Sequence, residues 1–274
     1  MKIDAHNHFW EFDPVRDAWI DASMKGIRRD FLPLEFKEVL ERNGLDGTVA
    51  VQADQSRQET LFLLDLAEKN DFIKGVVGWV DLQAEDIEQQ LEQYEKFPLL
   101  KGFRHIAQAE KDDFLVSGKF VRGMAALAAT DFTFDLLVYP NQLPAAVELA
   151  GMFPNQPFVL DHIAKPLIKK RAIDGWKKGI RELAAHENVM CKISGLVTEA
   201  DWEQWEAADF SPYLEGVTEA FGTERLMFGS DWPVCLLAAE YSRVLRIVED
   251  HFRYFSESEI NQFFGENAIT FYNL

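Results

Sequence analysis

Eight short apolar runs alternate with amphipathic helical patterns along the 274-residue chain, and no glycine-rich phosphate turn follows the first run. These observations predict an α/β fold of the (β/α)8 TIM-barrel class, formed as a single domain over 1–274. The runs are nearly continuous in apolar character, as strands covered on both faces must be. A doubly wound open sheet is the competing arrangement. Its first strand ordinarily leads into a glycine-rich loop, whereas "FWEFDPVRDAW" follows here.

The first strand is "KIDAHNH" at 2–8. After it, Phe36, Val39 and Leu40 share one helical face, and Gly44 supplies a left-handed stop. The second strand is "GTVAVQA" at 47–53 and the third is "IKGVVGWVD" at 73–81. Ile87, Leu91 and Tyr94 then mark a helix that ends before Pro98. "LLKGFRHIA" at 99–107, "FTFDLLVY" at 132–139, "PFVLDH" at 157–162 and "NVMCKIS" at 188–194 are the next four strands. Tyr213, Val217 and Phe221 line a helix closed by Gly222, and "RLMFGSD" at 225–231 is the eighth strand. The last helix opens on a capping-box pattern, "SESE" at 256–259, and carries Ile260, Phe263, Phe264, Ala268 and Phe271.

Composition narrows the function. Apolar residues make up 47% and charged residues 27%, as in ordinary soluble globular proteins. A formal net charge of −18 repels phosphate, which argues against nucleic-acid and anionic-membrane partners. The two cysteines, Cys191 and Cys235, are far apart, so neither a disulfide framework nor a zinc-ribbon spacing is present. No basic region followed by an apolar run opens the chain, and no stretch of about 18 uninterrupted apolar residues occurs. The expected location is the cytoplasm. Nothing reads as an oligomer interface, and the oligomeric state stays open.

In a barrel the active site gathers at the carboxyl ends of the strands. His6 and His8 are two residues apart, so both imidazoles face the same side of strand one. Asp4 is expected on that side too, deeper in the barrel and bracing the pair. Later strands end in Gln52 and Asp54, Trp79 and Asp81, Arg104 and His105, Tyr139, Asp161 and His162, Lys192 and Ser194, and Asp231. Four of the six histidines, His6, His8, His105 and His162, stand at such ends, while His186 and His251 read as surface residues. Neutral imidazoles can hold a divalent ion or donate to a developing oxyanion, and a carboxylate can take a proton from water. Arg104 can pair with substrate oxygens or with an internal carboxylate. Strand alternation turns His105 away from Arg104. No base stands beside Ser194 in local sequence, so it reads as structural. Trp10, Trp19 and Trp232, with the long 9–33 segment, are candidate pocket walls or a lid.

Six motifs, in order, carry a resemblance. They are "DAHNHFW" at 4–10, "KGFRHIAQAE" at 101–110, "LDHIAKP" at 160–166, "KISGL" at 192–196, "FGSDWP" at 228–233 and the closing "GENAITFYNL". Over essentially the whole chain they resemble the amidohydrolase superfamily, in its amidohydrolase-2 branch. The Arg–His pair followed by Gln108 and Glu110, with the "DHxxKP" run, is similar to the fucono- and rhamnono-lactonases of that branch. The resemblance implies hydrolytic opening of a small-molecule aldonolactone to the free acid. It implies a reaction centre of His6, His8, His162 and Asp231, with Arg104, His105 and Tyr139 on the substrate, and Trp10 is a further candidate substrate contact. The superfamily's full metal set includes a lysine on strand four and a histidine on strand five. Arg104 and Tyr139 stand there instead, which argues against a two-metal centre and leaves one zinc on His6, His8 and Asp231, or none. A lactone isomerase, a metal-dependent decarboxylase and a non-catalytic sugar-binding barrel stay open as alternatives.

Overall fold

The computed structural model describes residues 1–274. One parallel sheet holds eight strands in sequential order. They are β1 (Ile3–Asn7), β2 (Gly47–Val51), β3 (Ile73–Gly78), β4 (Leu100–Ile106), β5 (Thr133–Leu137), β6 (Phe158–Leu160), β7 (Val189–Ile193) and β8 (Leu226–Phe228). The sheet closes where the His8 amide donates to the Trp232 carbonyl at 2.7 Å and the Asp231 amide to the His6 carbonyl at 2.8 Å. That closure excludes the open sheet. Each strand falls inside its predicted run but is shorter, because the polar residues at its carboxyl end leave the ladder for the site.

The helices are α1 (Pro33–Arg42), α2 (Arg57–Lys69), α3 (Ile87–Tyr94), α4 (Gly118–Leu127), α5 (Leu143–Met152), α6 (Asp174–Ala184), α7 (Ala207–Phe221), α8 (Tyr241–Phe252), α9 (Glu257–Asn261) and α10 (Asn267–Tyr272). Local chemistry sets their ends. Pro33 opens α1, where its missing N–H costs nothing, and Gly44 follows the helix at φ +71°. The Ser256–Glu259 capping box forms as predicted.

The closing helix differs from its sequence reading. A π turn at 262–266 joins α9 to α10 and rotates the apolar face. Ala268 and Tyr272, rather than Phe271, then enter the barrel and pack on Ile3, Ala5, Val49, Val51, Val77, Val159 and Met227. This cluster plugs the barrel below the site.

Asp4 also differs. The β1–β2 register shifts between Asp4 and Asn7, and this bulge breaks the alternation that would have set Asp4 beside the histidines. Asp4 turns to α8, accepting from the Tyr241 hydroxyl at 3.0 Å, the Ser230 amide at 2.9 Å and the His6 amide at 3.1 Å. It braces the β1–β8 seam from outside the lumen. Both cysteines are buried and unpaired. No helix is long and apolar enough to cross a membrane.

Candidate active site

The floor of the site is a buried charge cluster. Lys192 Nζ lies 2.5 Å from Asp135 Oδ2, 3.0 Å from Asp161 Oδ1 and 3.2 Å from His6 Nδ1. Asp135 also accepts from the Tyr272 hydroxyl at 3.0 Å, so the C-terminal plug is tied to the cluster. Arg104 Nη1 donates to Asp161 Oδ2 at 3.0 Å and lies 3.2 Å from His6 Nε2, and its Nη2 donates to the Gln52 carbonyl. Burial pushes the Asp161 carboxyl up, but Lys192, His6 and Arg104 outweigh it and hold it well below the usual carboxylate range. Burial holds His6 well below the ordinary imidazole value, as a neutral ring. Asp161 and Lys192, each 3.2 Å from Nδ1, fix the ring's orientation. Arg104 reaches the cavity wall, but its guanidinium is engaged with these internal partners.

Above the floor, His6 Nε2, His8 Nε2 and Asp231 Oδ1 converge. The separations are 3.3 Å for His6–His8, 3.3 Å for His8–Asp231 and 4.0 Å for His6–Asp231. His8 Nδ1 lies 2.7 Å from the Val51 carbonyl and must donate to it. In the neutral ring this leaves a bare lone pair on Nε2, facing a carboxylate oxygen. Two acceptors so close require a cation or a proton between them. A tetrahedral zinc with ligands at about 2.0–2.1 Å spaces those ligands about 3.3–3.4 Å apart. Two of the three separations match that spacing, and a small inward shift across the 4.0 Å His6–Asp231 gap would let the three donors hold one zinc ion. Arg104 already supplies positive charge 3.2 Å from His6 Nε2, and Lys192 supplies it at Nδ1, so the donor set suits one ion rather than two.

His162 completes the group. Its Nε2 is 3.9 Å from Asp231 Oδ1 and its Nδ1 is 2.8 Å from Ser194 Oγ. Burial lowers its pKa to about 3, so the ring is neutral. Burial pushes Asp231 up, yet His162, His8 and His6 outweigh it, and the carboxylate stays ionised below its ordinary range.

The backbone here is strained. His162, Ile163, Ala164 and Lys165 run consecutively at φ +53°, +46°, +60° and +47°, and Asp231 sits at +59°. Non-glycine residues at positive φ are costly, and such strain concentrates at working sites. Two glycines make room. A Cβ on Gly195 would come within 2.7 Å of His162 Nδ1, and one on Gly229 within 2.6 Å of His6 Cβ.

A cavity of about 420 Å³ opens over these groups. His8, Arg104, Tyr139, His162 and Asp231 line it, as does Trp19 from the 9–33 segment. Two of the expected substrate contacts do not line the cavity. His105 is buried on the other side of β4, stacked on Phe114 with centroids 4.8 Å apart, because strand alternation turned it from Arg104. Trp10 is buried behind the wall, its indole N–H donating to the Arg29 carbonyl at 2.9 Å and its ring packed on Phe31. Trp232 likewise stacks on Phe36 of α1, away from the cavity. His186 and His251 are half-buried and lie outside the cavity, His251 against Thr218.

Local sequence missed several residues. Ser194 has a ring nitrogen beside it after all, supplied by β6 and therefore invisible in "KISGL". The lysine of "VMCKIS" and the aspartate of "FTFDLLVY" were the available signals for the floor, since charges inside apolar strands demand partners. Lys165, Glu199 and Trp202 also line the cavity, and no pattern marked Glu199 or Trp202.

The amidohydrolase family model (Amidohydro_2) matches residues 3–274. The chain belongs to this family. An L-fucono-1,5-lactonase from Burkholderia multivorans is 41% identical over 260 residues, covering 91% of this chain and 88% of that protein. An L-fucono-1,5-lactonase from Burkholderia ambifaria is 36% identical over 279 residues, covering 100% of this chain and 96% of that one. A solved amidohydrolase structure from Burkholderia multivorans, with zinc bound, superposes with a TM-score of 0.96 at 40% identity, covering 100% of this chain and 99% of that one.

Proposed function

We propose that this amidohydrolase opens a sugar (aldono) lactone to the free acid by adding water to the lactone carbonyl. The observation that carries the reading is the ionised Asp231 carboxylate in the wall of a small cavity, with His8 at 3.3 Å and neutral His162 at 3.9 Å. The lactonase names of its relatives support the same substrate class. Asp231 takes a proton from water as the water oxygen attacks the carbonyl carbon. Neutral His162, oriented by Ser194, faces the site from the other side and stabilises the developing oxyanion. The ring C–O bond then breaks, and the proton held at Asp231 passes to the departing ring oxygen. Water is thus divided between the new carboxyl and the new hydroxyl. Arg104 and Lys192 hold His6 and Asp161 in place beneath the reacting atoms, and Tyr139 meets the substrate at the rim. His6, His8 and Asp231 would hold a single zinc ion, which supplies Lewis-acid polarisation when bound.

The net charge of −18 favours a small neutral substrate over nucleic acid. We place the reaction in the cytoplasm, supported by two buried free thiols, and in one domain spanning 1–274.

The test is a panel of L-fucono-, L-galactono- and L-rhamnono-lactones in water carrying a heavy oxygen isotope, with and without chelator. The expected result is acid release with one solvent oxygen incorporated per turnover. Acid release from none of the panel contradicts the reading. Rearranged lactone without solvent oxygen would mark an isomerase, and released carbon dioxide a decarboxylase.

A further inference from the structure

We infer that Lys165 and Glu199 form the recognition pair for the ring hydroxyls of the substrate, so that the cavity selects polyhydroxylated lactones over bare ones. This rests on the lactone reading and adds to it the residues that choose among lactones.

The first argument is placement. The cavity wall is mixed. Loops after β8 and β1 present Val234, Leu237, Trp19 and Met24, whereas loops after β6 and β7 present Lys165 and Glu199 beside Trp202. A sugar ring has hydroxyls along its edge and C–H bonds on its faces, and such a wall meets both.

The second argument is unused bonding capacity. Lys165 Nζ and Glu199 Oε1 stand 3.7 Å apart, with the side chains 20% and 19% exposed. That separation is too long for a hydrogen bond, and no other side-chain hydrogen bond holds either group. Burial raises the Glu199 carboxyl, and Lys165 only partly offsets this. The two mostly buried charges thus form a long ion pair that leaves part of their bonding capacity unused. A hydroxyl can do what neither does alone, because its oxygen accepts from the ammonium while its proton goes to the carboxylate. Gln108 lines the same cavity with a buried Nε2 that has no partner, which adds a second unused donor.

The third argument is backbone cost. Lys165 is the last of the four left-handed residues that begin at His162. A pair that served only to join two exposed loops could be built without that strain. One strained turn here presents both His162 to the reacting centre and Lys165 to the rim.

The test compares Lys165→Met, Lys165→Arg and Glu199→Gln with the unaltered enzyme on L-fuconolactone and on δ-valerolactone, which has no hydroxyls. A charged hydrogen bond to substrate predicts a loss of about tenfold or more in kcat/KM for the sugar lactone, carried mainly by KM, in the Met and Gln variants. The loss for δ-valerolactone is much smaller, so discrimination between the two collapses, and Lys165→Arg recovers part of it. Equal losses on both lactones, or a fall in kcat alone, would overturn the inference. Calorimetric binding of 1,5-anhydro-L-fucitol, a ring polyol with no carbonyl, reads the pair without any turnover. Weaker binding in both variants, with melting temperatures unchanged, supports the pair even if no lactone is hydrolysed. Binding that is absent from the unaltered protein, or equal in all variants, overturns it.

Discussion

Two buried carboxylates show how differently this barrel treats charge at its floor and beneath its loops. Asp161 is fully buried and meets Arg104, Lys192 and His6, which together hold it well below the usual carboxylate range against the opposing effect of burial. Glu59, at the start of α2, accepts from the Ala53 amide at 3.0 Å. Burial pushes Glu59 up to about 7, and the Ala53 amide and Arg16 offset only part of that. The two cations inside the barrel thus stand where they fix an imidazole, and none is placed to neutralise Glu59. Fixed charge at the floor holds both nitrogens of His6. The carboxylate in the first turn of α2 instead couples folding to pH.

The largest expected effect comes from breaking the floor. Lys192→Met leaves Asp135 and Asp161 buried without their shared ammonium. Removing one partner of a buried charge cluster costs about 3–5 kcal/mol, which for a chain of this size lowers Tm by about 10 °C. A thermal melt showing a shift under about 2 °C would mean that the cluster does not depend on the lysine.

A subtler change leaves every charge in place. Gly195→Ala puts a Cβ within 2.7 Å of His162 Nδ1 at a φ of +62°. The imidazole must move away from Ser194, and a displacement on that scale costs about tenfold to a hundredfold in kcat. The strained backbone costs about 1 kcal/mol of stability. Steady-state kinetics beside a melt separate the two, and unchanged kcat would show that His162 need not be held.

The smallest effect is at Glu59. Its folded pKa of about 7 lies above its ordinary 4.5, so the folded chain binds the extra proton. Stability from this group is therefore full below pH 4.5 and is lost as pH rises through 7. Glu59→Gln keeps the acceptor for Ala53 and removes the titration. Tm is expected to rise by a few degrees at pH 8 and to stay nearly level at pH 4.5. A gain at low pH instead would reverse the sign and remove the contrast with the floor.

The same division between floor and loops explains what the sequence made legible. The alternation of apolar runs and helical faces exposed the whole barrel, because covered parallel strands leave few choices of residue. His6, His8, His162 and Asp231 were legible as strand-end polar groups that converge at the mouth, whereas His105 stands at a strand end but turns to the helix side. Asp4 was misplaced because a bulge in β1 cancels strict alternation, and such a bulge has no mark in "KIDAHNH". In the last helix Phe263, Phe264 and Ala268 were read correctly, and only Phe271 gives way to its neighbour Tyr272 beyond the π turn. Ser194 met His162 only through the β6–β7 pairing. Lys165 and Glu199 lie on loops, where side-chain direction follows backbone strain rather than period.

The most direct test of the central claim is the rate of Asp231→Asn on L-fuconolactone, measured on protein whose melt matches the unaltered enzyme. Asparagine keeps the shape but cannot take the proton from water, so the account predicts a fall in kcat of about a thousandfold or more with KM little changed. A kcat within about tenfold of the unaltered enzyme would contradict the account, because water activation would then lie elsewhere in the cavity.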